Sequence, residues 1–445
     1  MPATTKPSAD GAPRLWRIGS ALTATSIGAA AAAGGVFLGL VALLGIQEID
    51  TTTKLDASTL FELLKLSFGV VAGLGALVAL VVAYRRQRLD EAGAHRDVTR
   101  LHTERFTTAV NQLGDASAAV RLGGVHALAG LADDAPTRAL RQTCIDVLCA
   151  YLRLPHAPDP GTAAGAEHHH FLALREVRHT ILRLLGDHYR IARGAPRSWQ
   201  GCHLDLTGTT IDGLLDFHGA EFTEGTLSFA RVTLARAGVM NFSDASFSGG
   251  VLDFERAHLA HGEVLFTNAE FCGATANFNR VNFAGSLAEF TGAVFLKNTV
   301  DFGRARFGGG HICFMRAQFC GASMDFEHAA FAGATVDFGE ATFSGGAVRL
   351  RESVFVEGDL LFHGADFCGS EVSFDYATIV DATLHFGGTV FVGGRVASGS
   401  ATFSGGEVSF DGIEGFAPEG LLAVLGRPVP AWVVLPNNWR ESGGG

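Results

Sequence analysis

The stretch FSGGAVRLRESVF, Phe343 to Phe355, decides the fold, because its apolar residues Phe343, Leu350 and Phe355 stand seven and then five apart. Extended in both directions, the count gives a lattice of 29 positions from Phe242 to Phe410 in alternating steps of five and seven. Phenylalanine fills 25 of them, and Leu259, Leu350, Ile379 and Ser398 fill the rest. Two residues before each lattice position runs a second apolar column. Alanine holds 11 of 14 places after the five-residue step, as at Ala305 and Ala341, and larger aliphatics hold 12 of 14 after the seven-residue step, as at Val300 and Met324. Residues two apart in an extended chain share a face, so both columns point inward. Glycine stands two residues after the first Phe of the unit at 10 of 14 places, among them Gly249, Gly309 and Gly345, with Asp381 and His261 among the replacements. That is the mark of a turn needing positive φ.

Each twelve-residue unit is therefore two short strands around a corner. One unit cannot bury its own phenylalanines, whereas stacked units build a continuous core. A twelve-residue coil is too narrow for two phenylalanines and two aliphatics. The reading is that two units close one coil of about 24 residues, with four lattice side chains inside. Cys272, Cys320 and Cys368 recur at intervals of 48. They should lie on one face, two rungs or on the order of 10 Å apart, beyond disulfide reach.

The motifs ADFCG (Ala365–Gly369), ARFGG (Ala305–Gly309) and ATFSG (Ala341–Gly345 and Ala401–Gly405) resemble the tandem units of the pentapeptide-repeat family. The resemblance covers roughly Leu204 to Phe410 and implies a right-handed quadrilateral β-helix. This chain departs from the plain pattern by two extra residues after every second pentapeptide, which should loosen two opposite corners. Ser398 and a one-residue slip between Leu234 and Phe242 read as local bulges. Beyond Phe410, PEGLLAVLG reads as a short helix, and Leu421, Leu422, Leu425 and Trp432 suit a cap over the open end.

The region from Gly201 to Gly415 holds 26 Asp and Glu against 11 Lys and Arg, while the whole chain is −11. Asp253, Asp301, Asp325 and Asp337 flank phenylalanines at outward positions, where charge keeps an aromatic core soluble. Some pentapeptide-repeat proteins mimic DNA and bind a topoisomerase, and an acidic rod permits that alternative.

Upstream, Leu89 to Arg193 reads as helical. RLGGVHALAGLADD and RQTCIDVLCAYLRLP form a helix pair divided by Asp133, Asp134 and Pro136, similar to one repeat of the HEAT type. Cys144 and Cys149 on its second helix read as buried apolar residues, not ligands. The linker PHAPDPGTAAGAE ends in His168, His169 and His170, read as a solvated loop for want of companion ligands. An amphipathic helix follows, with Val177, Ile181, Leu184 and Leu185 on one face and arginines opposite.

Ile18–Ile46 and Leu66–Tyr84 are free of charge and each reads as a membrane span. Lys6, Arg14, Arg17, Arg85, Arg86 and Arg88 then place both termini in the cytoplasm. Gly35 with Gly39, and Gly69 with Gly73, would let helices approach closely, packing the hairpin or forming a homodimer. With 47% hydrophobic residues among 445 and seven scattered cysteines, disorder and a disulfide scaffold are excluded as classes.

The expected fold is multidomain: an N-terminal cytoplasmic tail (1–17), a two-helix transmembrane hairpin (18–84), an α-helical, HEAT-like domain (85–200), a β-helix (201–415), and a C-terminal cap and tail (416–445). Neither a nucleophile elbow, a phosphate loop, zinc spacing nor a paired-carboxylate site stands out, so no catalytic, cofactor or metal residue is assigned and no enzyme is expected. The expected function is a scaffold tethered in a bacterial cell membrane that presents an acidic rod to a cytoplasmic protein, without direct nucleic-acid binding. A polysaccharide-cleaving β-helix is the remaining alternative.

Overall fold

The computed structural model describes residues 27–28, 31–32, 34–39, 42, 57–393, 395–397, 399–413, 417 and 429–441. The chain falls into two compact units, Met1–Val98 and Thr99–Gly445. In the first unit the described residues are helical, and helix α1 (Ala57–Leu113) begins there. Among the described residues no helix is long and apolar enough to cross a membrane. This corrects the expected two-span hairpin, the integral-membrane partner and the multi-pass localisation. The expectation rests on runs without charge, which is a weaker condition than an apolar helix of spanning length. The tail 1–17 lies outside the described residues, and Ile18–Ile46 lies largely outside them. Leu66–Tyr84 is not a separate element: it is an interior part of α1, which continues through Arg85 and Arg86 to Leu113. Nothing lies within 4 Å of a Cβ built on Gly35, Gly39, Gly69 or Gly73.

The second unit joins helices α2 (Ala118–Asp133), α3 (Arg138–Arg153) and α4 (Ala166–Tyr189) to a parallel β-solenoid that begins at Leu204. One coil shows the plan. Val294–Leu296, Thr299–Asp301, Arg306–Gly308 and His311–Cys313 are its four strands, which we number as faces 1 to 4. Each residue pairs with its equivalent two units further on: Phe295 with Phe319, Val300 with Met324, Phe307 with Phe331, Ile312 with Val336. The expected coil length is thus observed. Face 2 is a nine-stranded sheet and face 1 an eight-stranded one. Faces 3 and 4 merge where the strands Ala330–Asp337 and Val354–Leu361 run through their shared corner. The slip before Phe242 is also present. Leu214 pairs with Val239 and Val239 with Glu263, so the earlier interval is one residue longer than the later one.

The four inward positions of the coil, Phe295, Phe302, Phe307 and Phe314, are buried. Rings stack along each file, with Phe302–Phe326 at 5.0 Å, Phe314–Phe338 at 4.8 Å and Phe295–Phe319 at 4.9 Å. Across the core Phe302 meets Phe314 edge to face at 6.2 Å. Parallel files therefore interlock through T-shaped contacts, so that the core uses both arrangements aromatic rings prefer.

The two kinds of corner differ. At the seven-residue corners positive φ falls where the glycine column predicts it, as at Gly309 (67°) and Gly345 (71°), and also at the replacement Asp381 (51°). At Gly249 and His261 it moves one residue on, to Gly250 and Gly262. The five-residue corners also need positive φ, and most are not glycine: Arg256, Arg280, Arg304, Arg316, His328 and Glu340 lie between 56° and 59°. Here Ala305 N–H donates to Phe302 O (3.0 Å) to close a four-residue turn, and Arg304 N–H donates to Glu327 O in the next coil (2.8 Å). The left-handed residue is the third of that turn, where positive φ is required, and the two hydrogen bonds offset its cost of about 1–2 kcal/mol.

Both ends of the solenoid are covered. At the N-terminal end α4 lies on the first coil, with Tyr189 5.6 Å from Phe217 and 5.9 Å from Phe222. Gly186 approaches so closely that a Cβ there would sit 2.3 Å from the Asp216 carbonyl oxygen. At the other end Trp432 stacks on Phe403 at 4.3 Å, and Val433–Val434 adds a strand beside Glu407–Ser409. The expected cap residue Trp432 is in place. Ser398 and the expected cap helix, with Leu421, Leu422 and Leu425, lie outside the described residues.

Candidate functional site

The outward acids do three different jobs. Asp253, Asp301, Asp325 and Asp337 are not simply solvating charge. Each is partly or fully buried, and its Oδ1 accepts the backbone N–H two residues on: Glu255 (3.0 Å), Gly303 (2.7 Å), Glu327 (2.9 Å) and Gly339 (2.8 Å). These Asx turns set up the five-residue corners. A place next to a lattice phenylalanine gives such an acid the sequence pattern of surface charge.

A second set belongs to the helical cap. Asp216 pairs with Arg190 (2.7 Å), Glu224 with Arg193 (2.7 Å) and Arg138 (3.1 Å), and Asp205 with Arg153. Asp212 meets His179 (3.3 Å) and Arg175 (3.5 Å). Burial alone would raise the Asp212 pKa, but the hydrogen bond and charge of His179, with Arg178 and Arg175, hold it below the ordinary carboxylate value. Of the arginines expected opposite the apolar face of α4, Arg175 and Arg190 face the first coil's acids, Arg183 pairs with Asp187 of its own helix, and Arg178 is buried.

The third set is largely free. Residues 352–411 hold nine Asp and Glu against Arg395 alone, whereas 280–351 hold six acids against seven Lys and Arg. In the last coils Glu357, Asp359, Asp366, Glu371, Asp381 and Glu407 are exposed. Glu371 meets Arg395 at 3.9 Å, and among the described residues the other five have no cationic partner. Large apolar side chains are exposed beside them: Tyr376 at 58%, Val392 at 60%, and Val354, Val356 and Val390 at 40–43%. Register places Val390 directly on Asp366 and Val392 on Cys368 along face 1. Arg351 lies 5.7 Å over the Tyr376 ring. An acidic surface that also exposes aliphatic and aromatic side chains is suited to contact with another protein.

The helices contain a cleft of about 590 Å³ between α2, α3, α4 and Asp212 of the first coil. Leu154, Pro155, Phe171 and Leu174 give it apolar walls. Arg178, only 5% exposed, lines it too; its Nη1 donates to Leu152 O (2.9 Å) and its Nη2 to Thr210 O (3.1 Å), while Nε has no partner. Burial lowers the Arg178 pKa and the Asp212 charge raises it in part. Burial and the Arg178 charge together lower the pKa of His156 on the cleft wall. Spacing along the sequence carries no signal for this cleft, because its residues come from three helices, a linker and a coil.

The remaining candidates are placed as follows. His168–His170 lie in the first turns of α4, not in a loop, and His168 Nδ1 is 2.7 Å from Asp159 Oδ1. Cys144 and Cys149 are buried as expected, and burial pushes their thiols up to about 11 and about 12. The file of Cys272, Cys320 and Cys368 runs along face 1, with Leu296 and Ser344 between. Glu327, His328 and Glu352 bring one potential ligand atom each within 4.8 Å of one another, at a water-exposed corner where His328 already pairs with Glu352 at 3.2 Å. No protein-family model matches the chain, and no curated protein and no solved structure is significantly similar to it.

Proposed function

We propose that this chain is a protein-interaction module whose docking surface is the last coils of the solenoid, residues 352–411. The observation that carries the reading is the coincidence there of mostly unpaired acids with exposed Val354, Val356, Tyr376, Val390 and Val392. A partner with a basic rim and an apolar centre fits that chemistry: opposite charge steers the encounter, and the aromatic and aliphatic side chains supply the desolvated contact. The stacked coils hold these groups in place, so little ordering cost is met on binding. The role is one of binding and not of catalysis.

The likeness to pentapeptide-repeat proteins is kept within this reading, supported by the four-faced coil and its Ala-x-Phe columns. DNA mimicry has less support. Acids of the first coil are paired with the cap and those at the five-residue corners are held in turns. Among the described residues the exposed acids without a cationic partner are Glu221, Glu263 and Glu270 together with the set in the last coils, and they do not form a regular row along the rod.

The test places a photo-crosslinking amino acid at position 376 of the full chain, and at position 304 for comparison. A discrete protein adduct from 376, absent from 304 and weakened above roughly 0.3 M salt, is the expected result. Equal adducts from both positions, or none from 376, would overturn the reading. Inhibition of DNA supercoiling by the purified chain would favour mimicry instead.

A further inference from the structure

We propose that the cleft between α2, α3, α4 and the first coil binds a small amphiphilic carboxylate, with its anionic end on Arg178 and its apolar body against Leu154, Pro155, Phe171 and Leu174. The proposal concerns a different part of the molecule from the docking surface and stands apart from it.

Arg178 is the reason for an anion. Its guanidinium is almost fully buried, and among the described residues no carboxylate forms an ion pair with it. Two backbone carbonyls take one N–H from each terminal nitrogen, and the Nε–H has no acceptor. A buried cation so placed is unfavourable unless a counter-charge completes it. Asp212 is a carboxylate whose charge acts on Arg178, yet the Asp212 oxygens are engaged by His179 and Arg175. A carboxylate entering the cleft would supply the missing negative charge beside the guanidinium, and charge-assisted contacts to Arg are the strong ones.

The other walls define the rest of the ligand. The volume, about 590 Å³, suits a small molecule, and the walls are mostly apolar, as small-molecule sites are. Arg121 and Arg175 line the cleft with Glu167 and Asp212. Arg175 is held by Asp212 and Arg121 donates to Asp115 O and Tyr151 Oη, so among the described residues Arg178 is the buried guanidinium of the cleft left without an ion pair, and a single carboxylate balances it. His156, whose pKa is lowered, contributes a neutral imidazole edge and no second positive charge. Charge on one side and hydrocarbon on the other select an aliphatic or aromatic monocarboxylate.

The full chain is titrated by calorimetry with octanoate, and with octanol and octylammonium as the neutral and cationic counterparts. Octanoate should bind saturably at one site and octanol at least about tenfold more weakly, the factor that corresponds to one charge-assisted hydrogen bond. Octylammonium should not bind. Arg178→Gln should weaken octanoate by about the same factor, and Leu174→Trp, which fills the cleft from an apolar wall, should abolish binding. If Arg178→Gln fails to fold, the three ligands on the native chain and Leu174→Trp still decide. No saturable octanoate binding, equal affinity for octanol, or octanoate binding unaffected by Leu174→Trp would each overturn the proposal.

Discussion

Phe326 is buried, and its ring stacks 5.0 Å from Phe302 and meets Phe307 and Phe331 at 6.1 and 5.9 Å. Truncation to alanine removes all three contacts, and the neighbouring coils hold the cavity open, so Phe326→Ala should cost about 3–5 kcal/mol. Glu263 is exposed on face 4 and Glu263→Ala should stay within about 0.5 kcal/mol. Urea titration of both variants checks the pair, and equal midpoints would refute the inward assignment. Glu327, which alternation places outward as the neighbour of inward Phe326, is partly buried at its corner. Residues of this kind mark the limit of reading by spacing. Inward phenylalanines are legible because burial acts on residue type directly. The left-handed Arg304 and its equivalents are not, since arginine carries no conformational signature and the hydrogen bond that holds its N–H comes from Glu327 of the next coil. Arg178 is hidden for a different reason: at helical spacing it falls between Leu185 and Leu182 on the buried side of α4, and only its charge makes it read as a surface residue.

Among the elements, α4 reads in sequence as an ordinary amphipathic helix leading into the repeat, and the structure buries the apolar face so assigned. Its function as the cover of the first coil is not visible there, because the solenoid's open end exists only after the coils have stacked. Gly186 is where the two meet. Gly186→Ala would drive a Cβ to 2.3 Å from the Asp216 carbonyl oxygen, a clash with backbone that only moving the helix relieves. It should cost about 1–3 kcal/mol or more, and hydrogen exchange should show faster opening at α4 and the first coil than in the later coils. The acid behaviour of this junction follows from Asp212. Its folded pKa is depressed, so its contribution is present above the unfolded value of about 3.9 and is lost as pH falls through the folded value. Asp212→Asn should therefore flatten the decline in stability below about pH 4, measured by thermal melts across that range; an unchanged acid slope would count against it. The membrane hairpin is the element where sequence and structure part most: Leu66–Tyr84 is an interior part of α1, and among the described residues no helix is long and apolar enough to cross a membrane.

At the scale of the molecule, charge is arranged along the solenoid in three zones: an acid-rich first part in which the helical cap pairs Asp205, Asp212, Asp216 and Glu224, a balanced middle, and a last part where acids predominate and mostly stay free. Composition carries the total but not this distribution, which depends on which acids find a partner. The two-unit register has a further consequence for how such a chain can change length. Because the pattern of five and seven recurs with every unit while contact recurs with every second one, removal of one unit or of two leaves the apolar lattice intact but has opposite effects on orientation. Deleting residues 294–317 shortens the solenoid by one whole turn and brings Cys320 into the position of Leu296, directly beside Cys272, at roughly 4.8 Å between strands. Deleting 294–305 alone makes a half-turn and swings everything downstream to the opposite side. A short thiol-specific crosslinker should join Cys272 to Cys320 in the first deletion and fail in the second, with mass spectrometry of the linked peptide as the readout. The solenoid is thus a gauge with two settings per turn, one that keeps its outer surfaces aligned with the cap and one that turns them about.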